Sequence, residues 1–329
     1  MRVFRSKLKV SIRSIVMFLF ALMFVVAGLS LLSRYTSEQF IYRSKKPLKI
    51  GATYMTLNNP FFNVIDDEVR NVVEANGDVL ISLDPALDLQ KQKEQIHYLI
   101  EQGVSALIIN PVDFTGLSEE LKEAREANIP VITVDTDVFD EDLVAYSLMS
   151  DNYDAGVQCA KDMMKRKKSA DIVLLQHSTA YSAVQRIQGF VDTIKDKPQY
   201  RVVERIECEG QLEIAMPKMD AFLNKDISFD VVMALNDPSA LGALAAMQDK
   251  DRLQSVLVYG VDGSPETKAL IKDHIMTASV SQSPKTMGKD AAEIVYKILE
   301  NKPYSSKARI PVTLINENNI DQFSLEGWQ

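Results

Sequence analysis

The chain has 329 residues, which is enough for about two domains of roughly 150 residues each. It carries 37 basic and 45 acidic residues, and its hydrophobic content of 46% is that of a globular protein. Five of the basic residues fall within the first 13 positions, so the remainder has 32 basic against 45 acidic residues. A globular part that acidic is a poor binder of nucleic acid.

The N-terminal segment predicts membrane attachment. The run 15–32 contains 18 residues without a charge, at the short end of what spans a bilayer, and residues 1–14 carry only basic charges. We expect an uncleaved signal anchor over 15–32 that crosses the cell membrane once. Residues 1–14 would then be cytoplasmic, 33–47 a spacer, and the rest extracytoplasmic. A cleaved signal peptide is the alternative, although 27–30 is a poor cleavage site.

From residue 48 onward, apolar strand candidates alternate with helical patterns. Single helices between strands predict parallel sheets that are covered on both faces. So many strands predict two doubly wound domains in series, with a cleft for a ligand between them. Proline after a plausible cap marks helix starts at 237–238, 264–265 and 283–284. The strand candidates are 48–54, 79–83, 106–109, 131–134, 144–147, 172–175, 202–206, 231–235, 256–258 and 277–280.

Cysteines and histidines give little sign of chemistry. Cys159 falls on an apolar helix face and Cys208 at the end of a strand, which favours two buried free thiols over a disulfide. The three histidines are scattered without metal-ligand spacing, and His177 is interpreted as a solvated loop residue rather than a cleft residue. Glycine motifs that bind phosphate are absent from the sequence, so neither a metal nor a cofactor is expected.

The segment 56–62 (TLNNPFF) joins the first strand candidate to a helix. Ligands of open α/β sheets bind at the carboxyl ends of strands, so Asn59, Phe61 and Phe62 stand where a ligand would lie. An amide and aromatic rings suit a sugar, which has hydroxyls on its edge and C–H groups on its faces. Taken alone, Asn59 before Pro60 could equally be a turn residue, and the rings could equally belong to the core.

Nine segments make residues 48 to about 315 resemble the periplasmic sugar-binding proteins of the ribose-binding type. That family has the type I periplasmic binding protein fold, which it shares with the sensor domain of lactose-type repressors. A repressor is disfavoured because an apolar run, and not a helix-turn-helix, precedes the first domain. The segments are 56–62 (TLNNPFF), 107–111 (LIINP), 127–135 (ANIPVITVD), 150–152 (SDN), 186–190 (RIQGF), 234–237 (ALND), 241–244 (LGAL), 260–263 (GVDG) and 278–282 (ASVSQ).

The resemblance implies a fold, domain boundaries and ligand residues. It implies two Rossmann-like α/β domains joined by a multi-strand hinge, 48–150 plus 283–311 and 151–282 plus 312–329. Thr136 stands where the family has an arginine and Gly210 where it has an aromatic residue, which argues against ribose itself. The implied ligand-binding residues are Asn59, Phe61, Phe62, Asn110, Asp135, Thr136, Arg186, Asn236, Asp262 and Gln282.

The function implied by the resemblance is capture of a monosaccharide, a pentose or hexose, or a similar polyol by hinge closure. A membrane partner would read the closed form, either an ABC sugar importer or a sensor histidine kinase. One alternative is a carbohydrate-active enzyme that uses Asp135 and Asp262, but in the family these carboxylates bind and do not react. Another alternative is a binding protein for a non-sugar signal molecule.

Overall fold

The computed structural model describes residues 12–44, 46–225, 227–250, 252–253 and 256–329, and the chain divides into two units after Pro47. The first unit contains helix α1 (Ile12–Ser44), so the predicted spacer is helical up to Ser44. Within the described residues, no helix is both long and apolar enough to cross a membrane. The transmembrane segment predicted over 15–32 therefore lacks support from the structure. Residues 1–11 of the predicted cytoplasmic segment lie outside the described residues.

The second unit contains two six-stranded sheets. The strands are β1 (Lys49–Thr53), β2 (Val79–Leu83), β3 (Ala106–Ile109), β4 (Val131–Val134), β5 (Tyr146–Ser150), β6 (Ala170–Gln176), β7 (Tyr200–Glu207), β8 (Val231–Ala234), β9 (Leu257–Asp262), β10 (Ala278–Ser281), β11 (Lys307–Ile310) and β12 (Thr313–Asn316). The strand order is β11-β5-β4-β3-β1-β2 in one sheet and β12-β10-β9-β8-β6-β7 in the other. Neighbouring strands are parallel, except that β12 is antiparallel to β10. We call the parts built on these sheets the first and the second domain.

Helices follow most strands, as the alternation of patterns predicts, and the two-domain parallel-sheet fold is thereby confirmed. Strands β11 and β12 were missed because their residues are mostly half-buried or exposed and form no apolar run. The helices are α2 (Pro60–Ala75), α3 (Leu89–Glu101), α4 (Ser118–Glu126), α5 (Asn152–Arg166), α6 (Tyr181–Ile194), α7 (Leu212–Leu223), α8 (Asp237–Asp249), α9 (Pro265–Lys272) and α10 (Pro284–Leu299).

Helices α5 and α6 cross in backbone contact because each presents a glycine to the other. A Cβ atom on Gly156 would lie 1.9 Å from the carbonyl oxygen of Arg186, and one on Gly189 would lie 2.0 Å from the carbonyl oxygen of Tyr153. Distances this short leave no space for any side chain. The pair of glycines therefore fixes how far α6 stands from α5, and with it the position of Arg186.

Both cysteines are buried free thiols, as expected. Cys159 on α5 and Cys208 after β7 are each fully buried. Burial raises the pKa of the Cys159 thiol above its ordinary value, and it does the same for Cys208. The thiolate is the reactive form, so neither residue is poised for redox chemistry or nucleophilic attack.

Candidate functional site

A cavity lies between the two domains, where the carboxyl ends of strands from both sheets meet. Its empty volume is about 370 Å³. The first domain contributes residues that follow β1 and β4, and the second contributes Asp262 at the end of β9 and residues that follow β6, β7, β8 and β10. Eight of the ten predicted ligand residues line this cavity: Asn59, Phe61, Phe62, Asp135, Arg186, Asn236, Asp262 and Gln282.

Asn59 combines the two roles that the sequence left open. It is the N-cap of α2, where its Oδ1 accepts a hydrogen bond from Phe61 N at 3.0 Å, and Pro60 occupies the first helical position. Its side chain also faces the cavity. Phe61 and Phe62 lie edge to face, with ring centroids 5.4 Å apart, and both belong to the core while they line the cavity. Helix capping thus fixes an apolar wall next to an amide.

Arg186 reaches from α6 toward carboxylates of both domains. Its Nη2 lies 3.4 Å from Asp135 Oδ1, and its Nη1 lies 3.9 Å from Asp262 Oδ1. Its shorter hydrogen bonds go to neutral acceptors, from Nε to Asn152 Oδ1 at 2.7 Å and from Nη1 to the carbonyl oxygen of Leu235 at 3.1 Å. The guanidinium is therefore held in place by its own domain, independently of the two carboxylates.

Both carboxylates stand on strained backbone. Asp135, directly after β4, has φ of 64°, and Asp262, at the end of β9, has φ of 145°. Residues other than glycine rarely adopt a positive φ, and they keep this conformation only where the surrounding structure holds the backbone in place. Both residues line the cavity.

Burial raises the pKa values of the two carboxyl groups that face Arg186. It raises the pKa of the Asp135 carboxyl above its ordinary value, against the opposing charge of Arg186. Burial, and then the charge of Asp237, raise the pKa of Asp262 well above its ordinary value, again against Arg186. Low polarity around a carboxylate disfavours the charged form, and one cation at more than 3 Å does not compensate for two buried anions.

Asn236 and Gln282 complete the second-domain wall. Asn236, and not Asp237, caps α8: its Oδ1 accepts from Ser239 N at 3.1 Å, and its Nδ2 donates to the carbonyl oxygen of Gly210 at 2.9 Å. Gln282 donates from Nε2 to Asp262 Oδ1 at 2.7 Å. Its Oε1 is buried and has no hydrogen-bond partner among the described residues. An acceptor left unsatisfied at a cavity wall suits a donor on a ligand.

Two predicted residues, Asn110 and Thr136, do not line the cavity. Asn110 is fully buried and joins strand ends of the first sheet, since its Oδ1 accepts from Met55 N at 3.1 Å and its Nδ2 donates to the carbonyl oxygen of Val134 at 3.0 Å. Thr136 is also fully buried, and its Oγ1 accepts from Ser182 N at 2.9 Å. Both side chains are occupied by backbone groups, so they support the site without facing a ligand.

Further lining residues were not predicted from the sequence. His177 is buried, not solvated as expected, because it turns toward the cavity and contacts Thr179 Oγ1 at 2.9 Å through Nε2. Burial lowers the pKa of its imidazole. The additional lining residues could have been found from the sequence by the same signal as the predicted ones, because they too follow the ends of strands. The additional lining residues are Met55, His177, Ala180, Ser182, Ala183, Glu209, Gly210, Gln211 and Leu235.

The domains also contact each other around the cavity. On one side, Asn58 Nδ2 of the first domain donates to Glu213 Oε1 at 2.5 Å. On another, Phe114 N donates to the carbonyl oxygen of Thr179 at 3.0 Å. The structure is therefore in a closed arrangement in which polar groups of both domains surround one volume.

No group of three or more His, Cys, Asp or Glu side chains within the described ranges is arranged to hold a metal ion. The cavity instead offers carboxylates, amides, one guanidinium and two aromatic rings. This set can hydrogen-bond a small polar molecule and cover an apolar face of it.

Comparison with known proteins places the chain among extracytoplasmic binding proteins. A family model described as a periplasmic binding protein domain matches residues 50–303. The ribose import binding protein of Bacillus subtilis (strain 168) is 32% identical over 273 residues, covering 82% of this chain and 88% of that protein. Its counterpart in Escherichia coli (strain K12) is 29% identical over 269 residues, covering 81% and 90%. A solute binding protein of an ABC transporter from Mycobacterium smegmatis, solved with bound glycerol, has a TM-score of 0.79 at 28% identity, covering 84% of this chain and 96% of that chain.

Proposed function

This chain belongs to the periplasmic binding protein family, and we propose that it captures a monosaccharide or a similar polyol outside the cytoplasm. The relatives from Bacillus subtilis and Escherichia coli are ribose import binding proteins. It is accordingly a binding protein and not an enzyme. Asp135 and Asp262 then serve to hold a ligand, not to cleave one.

The observation that carries the proposal is the composition of the interdomain cavity. Asp135, Arg186 and Gln282 offer planar groups that can each engage neighbouring hydroxyls, while Phe61 and Phe62 offer an apolar wall. A hydrogen bond to a charged group contributes about 1.5–3 kcal/mol, and a wrong isomer leaves such groups unpaired at similar cost. That asymmetry makes a site of this kind selective among sugars.

Hinge closure is the proposed mechanism. Asp135 and Phe61 stand in the first domain and Arg186 and Asp262 in the second, so the site is complete only when the domains close. A ligand that contacts both walls stabilises the closed arrangement over an open one by its differential contacts. Contacts such as Asn58 to Glu213 then add to closure without touching the ligand.

The partner that reads the closed form is proposed to be an ABC sugar importer. The names of the relatives from Bacillus subtilis and Escherichia coli, which are ribose import binding proteins, support this choice over a sensor histidine kinase. The two partners give different readouts. Ligand-loaded protein should stimulate ATP hydrolysis by a reconstituted importer, whereas a sensory role would change kinase autophosphorylation instead.

Membrane attachment is a separate proposal that rests on the sequence. The support is the charge-free run 15–32 behind an exclusively basic N-terminus. Extraction of isolated membranes at alkaline pH tests it. Full-length protein that stays with the membranes supports the proposal, and protein released at its complete calculated length contradicts it.

A thermal-shift screen of the full-length chain in mild detergent tests capture of a sugar. Pentoses, hexoses and polyols are compared, and a ligand at 100 times its Kd should raise the free energy of unfolding of the protein by about 2.7 kcal/mol. Asp135→Asn should abolish the shift because the cavity loses a carboxylate, while Asp142→Asn, an exposed aspartate of the same domain, should retain it. No shift with any sugar or polyol would refute the proposed function.

A further inference from the structure

The cavity wall carries more carboxyl groups than cationic groups. Asp135 and Asp262 are buried in its wall, and half-buried Glu209 lines it as well. Among the described residues that line the cavity, Arg186 is the single lysine or arginine, so three carboxyl groups face one guanidinium. A neutral sugar brings no cation to these carboxyl groups, whereas a cation beside them would favour their charged form.

The residue that follows Asp135 in the chain adds no charge to the cavity. Thr136 is neutral and does not line the cavity. Here the threonine is fully buried, and its hydroxyl accepts from Ser182 N at 2.9 Å. It brings neither a charge nor a donor into the cavity.

Charged groups on neighbouring elements do not restore the balance. Burial lowers the pKa of His177, so its imidazole is neutral near pH 7. Asp237 lies behind Asp262 and adds another carboxyl group, which hydrogen-bonds with Thr267 Oγ1 at 2.6 Å. Lys268 is buried nearby, but its Nζ donates to the carbonyl oxygens of Ser324 and Gly327 and it does not line the cavity.

The cavity wall also has more hydrogen-bond acceptors in need of a partner than donors. The Oε1 atom of Gln282 is buried at the cavity wall without a donor. Asp135 accepts at 3.4 Å from Arg186 Nη2 and at 3.4 Å from Ser182 Oγ, and both distances are at the long limit. The site therefore has acceptors to spare, which suits a ligand group with several N–H donors and a positive charge.

We propose that the ligand is an amino sugar or an aminocyclitol, a polyol that carries one protonated amine. The inference rests on the proposed function and specifies its ligand class. An ammonium group supplies three donors and one positive charge, and it would lie between Asp135, Asp262 and Gln282. The remaining hydroxyls use Asn59 and Arg186 as they would in a neutral sugar.

Matched ligand pairs test the charge directly. The full-length chain is titrated calorimetrically near pH 7 with glucose and glucosamine, galactose and galactosamine, mannose and mannosamine, and myo-inositol and an inosamine. In any pair that binds, the amine should bind at least about tenfold tighter, because one charge-assisted bond replaces a neutral one. The N-acetyl forms, which occupy the same position without a charge, should lose that advantage.

A charge-neutralising variant separates charge from shape. Glu209→Gln should lower the amine-to-neutral affinity ratio by about threefold to tenfold because one of the lining carboxylates is lost. Glu204→Gln is the control: it makes the same change on β7 outside the cavity, where Glu204 pairs with Lys225, and should leave the ratio unchanged.

The outcomes distinguish the two proposals. A neutral sugar that binds as tightly as its amine, or a ratio that Glu209→Gln does not alter, would overturn the amine inference and leave sugar capture standing. Failure of both members of every pair would overturn sugar capture itself.

Discussion

Replacing Gly156 with alanine should displace the cation of the proposed site without altering any residue that lines it. The new Cβ atom would lie 1.9 Å from the Arg186 carbonyl oxygen, whereas an ordinary contact begins at 3.4 Å. Helices α5 and α6 must then separate by about 1.5 Å, the difference between those distances. Overpacking of this kind costs about 1–3 kcal/mol of folding free energy.

The same separation breaks the support of the guanidinium. Arg186 Nε is held by Asn152 Oδ1 of α5 at 2.7 Å, and its Nη2 already lies 3.4 Å from Asp135. If either helix moves by about 1.5 Å, at least one of these contacts passes beyond hydrogen-bond distance. We expect the affinity for the tightest sugar of the screen to fall by at least about tenfold, the effect of losing about one hydrogen bond.

Urea denaturation and calorimetric titration measure the two effects. Ile194→Val, on the same helix but away from the glycine crossing, is the control: it should cost about 0.5–1.5 kcal/mol of stability through a lost methyl group and leave affinity unchanged. A folded Gly156→Ala protein that binds with the affinity of the wild type would refute the argument that the glycine crossing positions Arg186.

Three further results are expected. Burial raises the pKa of Asp262, so the folded ligand-free chain binds more protons there than the unfolded chain and loses stability as pH rises. Asp262→Asn should therefore gain stability relative to the wild type as pH rises above about 4, the ordinary pKa of an aspartate, and a difference in urea denaturation that is constant with pH would contradict this. Lys268→Met should release the C-terminal carbonyls that Lys268 holds and shift the emission of Trp328, the single tryptophan, to the red, whereas Lys272→Met should not. The two buried thiols should resist a thiol reagent in native protein and react on unfolding, so rapid native labelling would contradict their burial.

Much of the fold could be predicted because its signals are local. Alternating strand and helix patterns gave the two parallel sheets, and the nine segments gave the family, which the comparisons confirm. Strands β11 and β12 escaped because strands with few buried residues carry no apolar run. The predicted domain boundaries stay a prediction.

The candidate site was predictable in position but not in orientation. Residues that follow strand ends were the right set to examine, and eight of the ten line the cavity. Asn110 and Thr136 also stand just after strand ends, but their side chains hydrogen-bond with backbone groups of Val134 and Ser182 and do not line the cavity. His177 shows the reverse, since a position expected to be solvated is buried at the cavity wall.

The sequence by itself determined the residue types at the strand ends, the absence of an arginine after Asp135, and the family. Only the tertiary structure decided which of these side chains share one volume. The reason is that their directions depend on backbone at unusual φ, as at Asp135 and Asp262, and on partners far away in the chain. Arg186 is the clearest case, because two glycines and Asn152 bring it opposite a carboxylate 51 residues earlier.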